Sequence, residues 1–204
     1  MTPNVDFLFD FGSPNAYLAH KVIPEIETRT GATFTYVPVL LGGLFKLTGN
    51  QPPMVAFGNI KNKMPYEQIE TQRFIRRHHL TQFTFNPNFP VNTLNLMRMA
   101  VAANAMGILP RYTEAVFHHM WEAPKKMDDP AVVRAALIES GLDADALIAA
   151  AQTPAVKQEL MANTEKAVEQ GAFGSPTFLV GREIFFGKNT LRDVEEEILR
   201  AKAA

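Results

Sequence analysis

The sequence predicts an α/β protein, a four-stranded mixed sheet with helices on both faces and an all-helical domain inserted in its middle. Three observations lead there. The chain opens with a β-α-β pattern, strand signals nearly vanish between Leu44 and about Thr153, and the last fifty residues read α-β-β-α. The implied division is residues 1–42 and 154–204 for the two parts of the sheet domain and 43–153 for the helical insert.

The first strand is Val5-Asp6-Phe7-Leu8-Phe9-Asp10-Phe11, a run of aromatic and branched residues. A helix pattern follows from Asn15 to about Arg29, entered through Phe11-Gly12-Ser13-Pro14. Ser13 suits the N-cap and Pro14 the first helical position, where proline's missing N–H costs nothing. The second strand is Thr33 to Val39, bounded by Gly31 and by Gly42-Gly43, which are expected to end the regular pattern. Helical patches then fall at about Tyr66–His79, Val91–Met106, Arg111–Trp121, Asp129–Ser140 and Asp143–Gln152, several opening on Asp, Asn, Thr or Pro. A helix from Pro154 to Gln170 leads through Phe173-Gly174-Ser175-Pro176-Thr177 into strand Thr177–Val180. Gly181-Arg182 makes a tight turn into Glu183–Phe186, and a final helix spans about Leu191–Lys202 with Glu195, Glu196 and Glu197 on its outer side.

Composition removes several functions. The chain has no cysteine, which excludes disulfide chemistry, thiolate metal ligation and a cysteine nucleophile. A net charge of -1 gives no general attraction to nucleic acid or to an acidic membrane. No basic segment followed by an apolar stretch opens the chain, and no apolar run approaches a membrane span, so a soluble, cytoplasmic protein is expected.

The two turns carry the chemistry. A hydroxyl at the Ser13 position sits beside unpaired backbone N–H groups and the positive end of a helix dipole, a setting that favours a nearby anion such as a thiolate. A cis peptide before Pro176 would leave backbone groups of the second turn free to pair with an extended ligand. Ordinary capping explains either turn alone; together they enclose a site suited to a thiol that the chain itself lacks. Competing motifs are weaker. Asp10-Phe11-Gly12 spells a kinase metal-binding tripeptide but has no glycine-rich loop before it. His78-His79 and His118-His119 lack the i, i+4 spacing of a helical metal site, so no metal is expected. Arg73, Arg76 and Arg77 read as a solvated helix face, and no Gly-x-Ser-x-Gly elbow surrounds Ser13 or Ser175.

The frame, with its functional turn at the first helix, helical insert and Gly-Ser-Pro-Thr turn, resembles the DsbA-like branch of the thioredoxin superfamily. Within that thioredoxin-like fold, Asp10-Phe11-Gly12-Ser13-Pro14 followed by Tyr17-Leu18-Ala19 resembles the 2-hydroxychromene-2-carboxylate isomerases and the kappa-class glutathione transferases. Thr48-Gly49-Asn50-Gln51-Pro52-Pro53, the spaced Asn59, Asn62, Lys63 and Tyr66, and Phe185-Phe186-Gly187 add to the likeness, which covers nearly the whole chain.

The resemblance implies glutathione as cofactor, with the Ser13 hydroxyl bonded to its sulfur. Ser175 and Pro176 would hold the cysteinyl part, and Phe186, Gly187, Lys188 and Asn189 the γ-glutamyl end. Lys46, Asn59, Asn62 and Phe89 would line the site of a small aromatic substrate, and family members are commonly dimers. Capping serves Asn59 and Asn62 equally well, and Lys46 equally suits a solvated surface. Two departures stand out. The family turn Gly-x-Asp-Arg is here Gly187-Lys188-Asn189-Thr190, without acid or arginine, and Phe89 stands where an aromatic hydroxyl is expected. Three functions remain open: an isomerase of the chromene-carboxylate type, a kappa-like transferase, and a non-catalytic binding module.

Overall fold

The computed structural model describes residues 4–203. The strands are β1 (Asn4–Phe9), β2 (Thr33–Pro38), β3 (Thr177–Val180) and β4 (Glu183–Phe186). They form one sheet in the order β2-β1-β3-β4. β1 pairs parallel with β2, Phe7 opposite Tyr36, and antiparallel with β3, Phe7 opposite Phe178; β3 and β4 form the antiparallel hairpin.

Ten α-helices lie among the described residues. They are α1 (Pro14–Thr30), α2 (Leu41–Thr48), α3 (Pro53–Ala56), α4 (Lys63–Arg77), α5 (Leu94–Ala105), α6 (Leu109–Trp121), α7 (Pro130–Glu139), α8 (Ala144–Ala150), α9 (Pro154–Glu169) and α10 (Leu191–Ala203). Their ends follow local chemistry. Asp129 accepts from Ala131 N and Asp143 from Ala146 N, satisfying first-turn donors of α7 and α8. Gly31 stops α1 at φ 71°, the left-handed geometry that lets its N–H reach Glu27 O at 2.7 Å.

The period-two pattern of β1 sorts two cores. Val5, Phe7 and Phe9 face one side with Phe34, Phe178 and Val180, against helices that include α1, α5, α6 and α10. Leu8 and Leu179 face the other side, with Leu44 of α2 and Ala167 of α9. A relay of rings crosses the larger core. Phe7 stacks on Phe178 at 5.3 Å, Phe9 meets Phe11 edge-on at 5.3 Å, and Phe11 meets Phe117 of α6 at 4.8 Å.

Two expectations are corrected. Gly42-Gly43 do not end the regular pattern: α2 runs through them. The cause is tertiary, since Leu41 N donates to the Asp10 carboxylate at 2.7 Å and Leu40 N to Thr164 Oγ1 at 3.0 Å, so distant residues satisfy the helix entrance. A side chain at Gly43 would press on Thr164 at 3.0 Å, and its absence lets α2 lie close on α9. Nor do the three consecutive glutamates share an outer face, because consecutive helical residues are about 100° apart. Glu195 folds back to Arg29 with contacts of 2.7 and 2.8 Å, Glu197 pairs with Arg200, and Glu196 is exposed.

Candidate functional site

The two turns meet at the ends of β1 and β3. Ser13 caps α1 from an extended conformation, its Oγ accepting from Ala16 N at 3.2 Å. The same hydroxyl donates to the Ser175 carbonyl at 2.8 Å, a contact across 162 residues. Ser175 Oγ accepts from Asp10 N at 3.1 Å and donates to Leu8 O at 3.4 Å. Both serines are buried, and the Ser175–Pro176 peptide is cis. The Ser175 N–H has no hydrogen bond among the described residues.

Asp10 organises the entrance, a role that sequence reasoning did not give it. Its carboxylate is fully buried and accepts from Gly12 N at 2.8 Å and Leu41 N at 2.7 Å, so one side chain ties the first turn to α2. Burial pushes the Asp10 carboxyl above the usual range, while the bonds from Leu41 and Gly12 pull the other way. The available signal was an acid flanked by Phe9 and Phe11 at the end of the first strand pattern, an expensive residue to bury without partners. Trp121 supports the turn from below, its indole N–H donating to Phe11 O at 2.8 Å.

The last turn closes on the same place. Gly187 N donates to Pro176 O at 2.9 Å, and the Phe186 ring lies so close to Gly174 that a side chain there would meet its edge at 2.7 Å. Phe186 and Phe173 have ring centroids 4.4 Å apart and are both about two-fifths exposed, at 43% and 42%. Asn50 Nδ2 donates to Phe173 O at 2.9 Å and brings the α2–α3 loop to the second turn.

A model of the DSBA-like thioredoxin domain matches residues 4–199. The chain belongs to that family. It is similar to a 2-hydroxychromene-2-carboxylate isomerase of Sphingobium xenophagum, 28% identical over 199 residues that cover 98% of this chain and 100% of the relative. It is also similar to glutathione S-transferase kappa 1 of Homo sapiens, 26% identical over 183 residues, 84% of this chain and 78% of the relative. A solved 2-hydroxychromene-2-carboxylate isomerase superposes with a TM-score of 0.82 at 25% identity, covering 97% of this chain and 95% of that one.

In this DsbA-like frame Ser13, Ser175, Pro176, Phe186 and Gly187 come together. Phe89 joins them indirectly, packing 6.2 Å from the Trp121 ring while buried Asn86 anchors its loop to Met120 O and Lys125 O. Lys188 behaves differently. Its side chain is buried, with the ammonium 5.5 Å from the Phe74 ring centre on α4, and burial lowers its pKa. Asn189 is exposed in a short 3-10 turn. Lys46 is exposed near the end of α2, and Asn59 and Asn62 are exposed in the connection that leads into α4. Asn62 holds the α4 N-cap position in the left-handed region, φ 71°, with no side-chain cap bond. No cluster of three or more metal-binding side chains occurs among the described residues, and no described helix is long and apolar enough to cross a membrane.

Proposed function

We propose that the protein is a glutathione-dependent isomerase of the 2-hydroxychromene-2-carboxylate type, acting on an aromatic breakdown intermediate. The observation that carries this reading is the buried Ser13 hydroxyl at the α1 N-terminus, facing the backbone of Ser175. The likeness to an isomerase along the full length of both chains supports the reaction class. When bound, glutathione supplies a thiolate that adds reversibly to a conjugated acid and permits rotation about a former double bond.

The residues present fit such a ligand. The Ser175 N–H is an unused donor beside the Ser13 hydroxyl, suited to an extended peptide unit. Ser13 and the helix terminus favour the sulfur anion, and the absence of cysteine leaves no internal thiol to compete. Pro176 and Gly187 hold the far wall, and Phe173 with Phe186 offer an apolar platform for a ring. Lys46, Asn59 and Asn62 supply donors for the substrate carboxylate and oxygens. At the γ-glutamyl end Gly187, its N–H held by Pro176 O, shapes the turn, and Lys188 and Asn189 offer backbone groups and the Asn189 amide, without a carboxylate for the ammonium.

The similarity to a kappa transferase supports a second reading, conjugation of glutathione to an electrophile by the same sulfur. The protein works as a homodimer in the cytoplasm in either case; the exposed apolar residues Met54, Val55, Phe57, Ile60 and Ile69 on and around α3 and α4 support an assembled form.

The experiment is an ultraviolet titration with glutathione near neutral pH, following thiolate absorbance in the native protein and in Ser13→Ala, with chromene acids and electrophiles then offered as substrates. Saturable thiolate formation that Ser13→Ala abolishes is expected, with isomerised product and free glutathione recovered. Absence of binding at millimolar glutathione would remove both enzyme readings and leave a binding module.

A further inference from the structure

Lys188 is the only lysine or arginine buried among the described residues, at 5% exposure. The turn that carries it is closed by backbone, Gly187 N on Pro176 O, so its side chain is left over from that task. It runs instead to α4, where the ammonium lies 5.5 Å from the centre of the buried Phe74 ring without a hydrogen bond or ion pair among the described residues. A lysine is rarely buried unless it is paired. The carboxylates that act on it, Glu67 and Glu70, stand seven and four residues before Phe74 on one face of α4 and are already engaged, Glu67 with Lys63 at 2.7 Å and Glu70 with Arg73. Nor is the amine sealed: the buried side-chain atoms cut off from water without a partner are Thr113 Oγ1 and His119 Nδ1. With no bond to hold it, the flexible stem can swing the amine off the ring.

Burial favours the neutral form of this amine, while Glu67 and Glu70 pull the other way. A desolvated amine on a long stem is a nucleophile, as a charged surface lysine at the same pH is not. Addition to a carbonyl ends in an iminium, whose positive charge suits the π face of Phe74 and the two carboxylates. The same carboxylates disfavour a ligand with a negative charge of its own. Phe74 and the His78 ring 4.4 Å from it favour a flat, apolar one.

We propose that Lys188 is a second reactive centre, which captures an uncharged aromatic aldehyde as a Schiff base beside the Phe74 ring. No sulfur takes part, so the inference is independent of the thiol reading above. The Lys188 nitrogen forms a bond to the aldehyde carbon, the carbonyl π electrons move to oxygen, and a proton passes from nitrogen to that oxygen. The oxygen takes one further proton from solvent and leaves as water, and the C=N bond remains. Hydrolysis runs the same steps backwards, so capture is reversible and needs no oxidant or reductant.

The test treats the native protein with benzaldehyde and sodium cyanoborohydride, which adds hydride to the iminium carbon and fixes the adduct as a secondary amine. Peptide mass mapping against time then locates the label, with exposed Lys61 and Lys166 as internal references. Lys188 is expected to label about tenfold faster than either at pH 7, and the ratio should shrink toward pH 9, because an ordinary lysine gains about tenfold in neutral fraction per pH unit. 4-Carboxybenzaldehyde, which adds one carboxylate, should label Lys188 more slowly relative to Lys61 than benzaldehyde does. Lys188→Met should lose the fast label and keep the slow ones; if that variant does not fold, the map of the native chain decides alone. Labelling of Lys188 no faster than the references, or only after unfolding in urea, would overturn the proposal. Equal preference for the carboxylated aldehyde would overturn the uncharged ligand.

Discussion

Ser13→Ala removes two bonds at once, and their sizes can be worked out before the measurement. The first is the N-cap bond to Ala16 N, whose loss on substitution by alanine costs about 1 kcal/mol. The second is the buried bond to Ser175 O, also worth about 1 kcal/mol. Ser13→Ala should therefore lower the unfolding free energy by about 2 kcal/mol. In a chain of this size that is a fall of about 4–8 °C in Tm. Glycine is tolerated at an N-cap at a cost of only a few tenths of a kcal/mol, so Ser13→Gly isolates the Ser175 bond and should lose about 1 kcal/mol. Urea unfolding followed by fluorescence suits the purpose, because Trp121 is the chain's single tryptophan and is fully buried. A loss of less than about 0.5 kcal/mol in Ser13→Ala would refute the reasoning, since neither bond would then be contributing its ordinary share.

Trp121→Phe leaves the Phe11 carbonyl unpaired and opens space beneath the first turn, so a loss of about 2–4 kcal/mol is expected by far-ultraviolet circular dichroism in urea. Asp10, with its carboxyl raised by burial, holds its proton longer in the native chain than in the unfolded one. Stability from this group is present below the ordinary carboxyl pKa and is lost as pH rises through the native value; Asp10→Asn should remove that decline, seen as a flatter urea midpoint against pH. Glu114 is the opposite case, held at about 2 by hydrogen bonds from His20 and then Lys21. Its contribution is present above the ordinary glutamate pKa and is lost as pH falls toward 2. Because the side chain is about half exposed, Glu114→Gln should cost only about 0.5–1 kcal/mol near neutrality, a difference that disappears in acid. Gly174→Ala sets a methyl group against the Phe186 ring at 2.7 Å. The half-exposed ring swings away from Phe173, so stability should change little while affinity for aromatic acids falls.

The legible parts of the chain are those whose signals are local. Thr177–Val180 and Glu183–Phe186 were found to the residue because β-rich runs flank Gly181-Arg182, and α7, α8 and α9 because Asp129, Asp143 and Thr153 stand at their caps. Ser13 was legible for the same reason, as a cap followed by proline. The helix α2 was missed because a Gly-Gly pair near its start argues for a break, and what overrides it is the bonding of Leu41 N to Asp10 and of Leu40 N to Thr164. Lys188 was placed in the ligand turn by its neighbours, but its side chain follows the aromatic face of Phe74 on a helix more than a hundred residues away in sequence.

By itself the sequence determined the order of the four strands and of the helices from α4 onward, the absence of any internal thiol, and the two turns on which the chemistry rests, because periodicity, caps and composition act over a few residues. Only the tertiary structure decided that Ser13 and Ser175 share a hydrogen bond, that Asp10 holds the two loops together, and that Trp121 carries the first turn. Those are long-range pairings of polar groups, and burial forces each group to find a partner without specifying from the sequence which partner it will be.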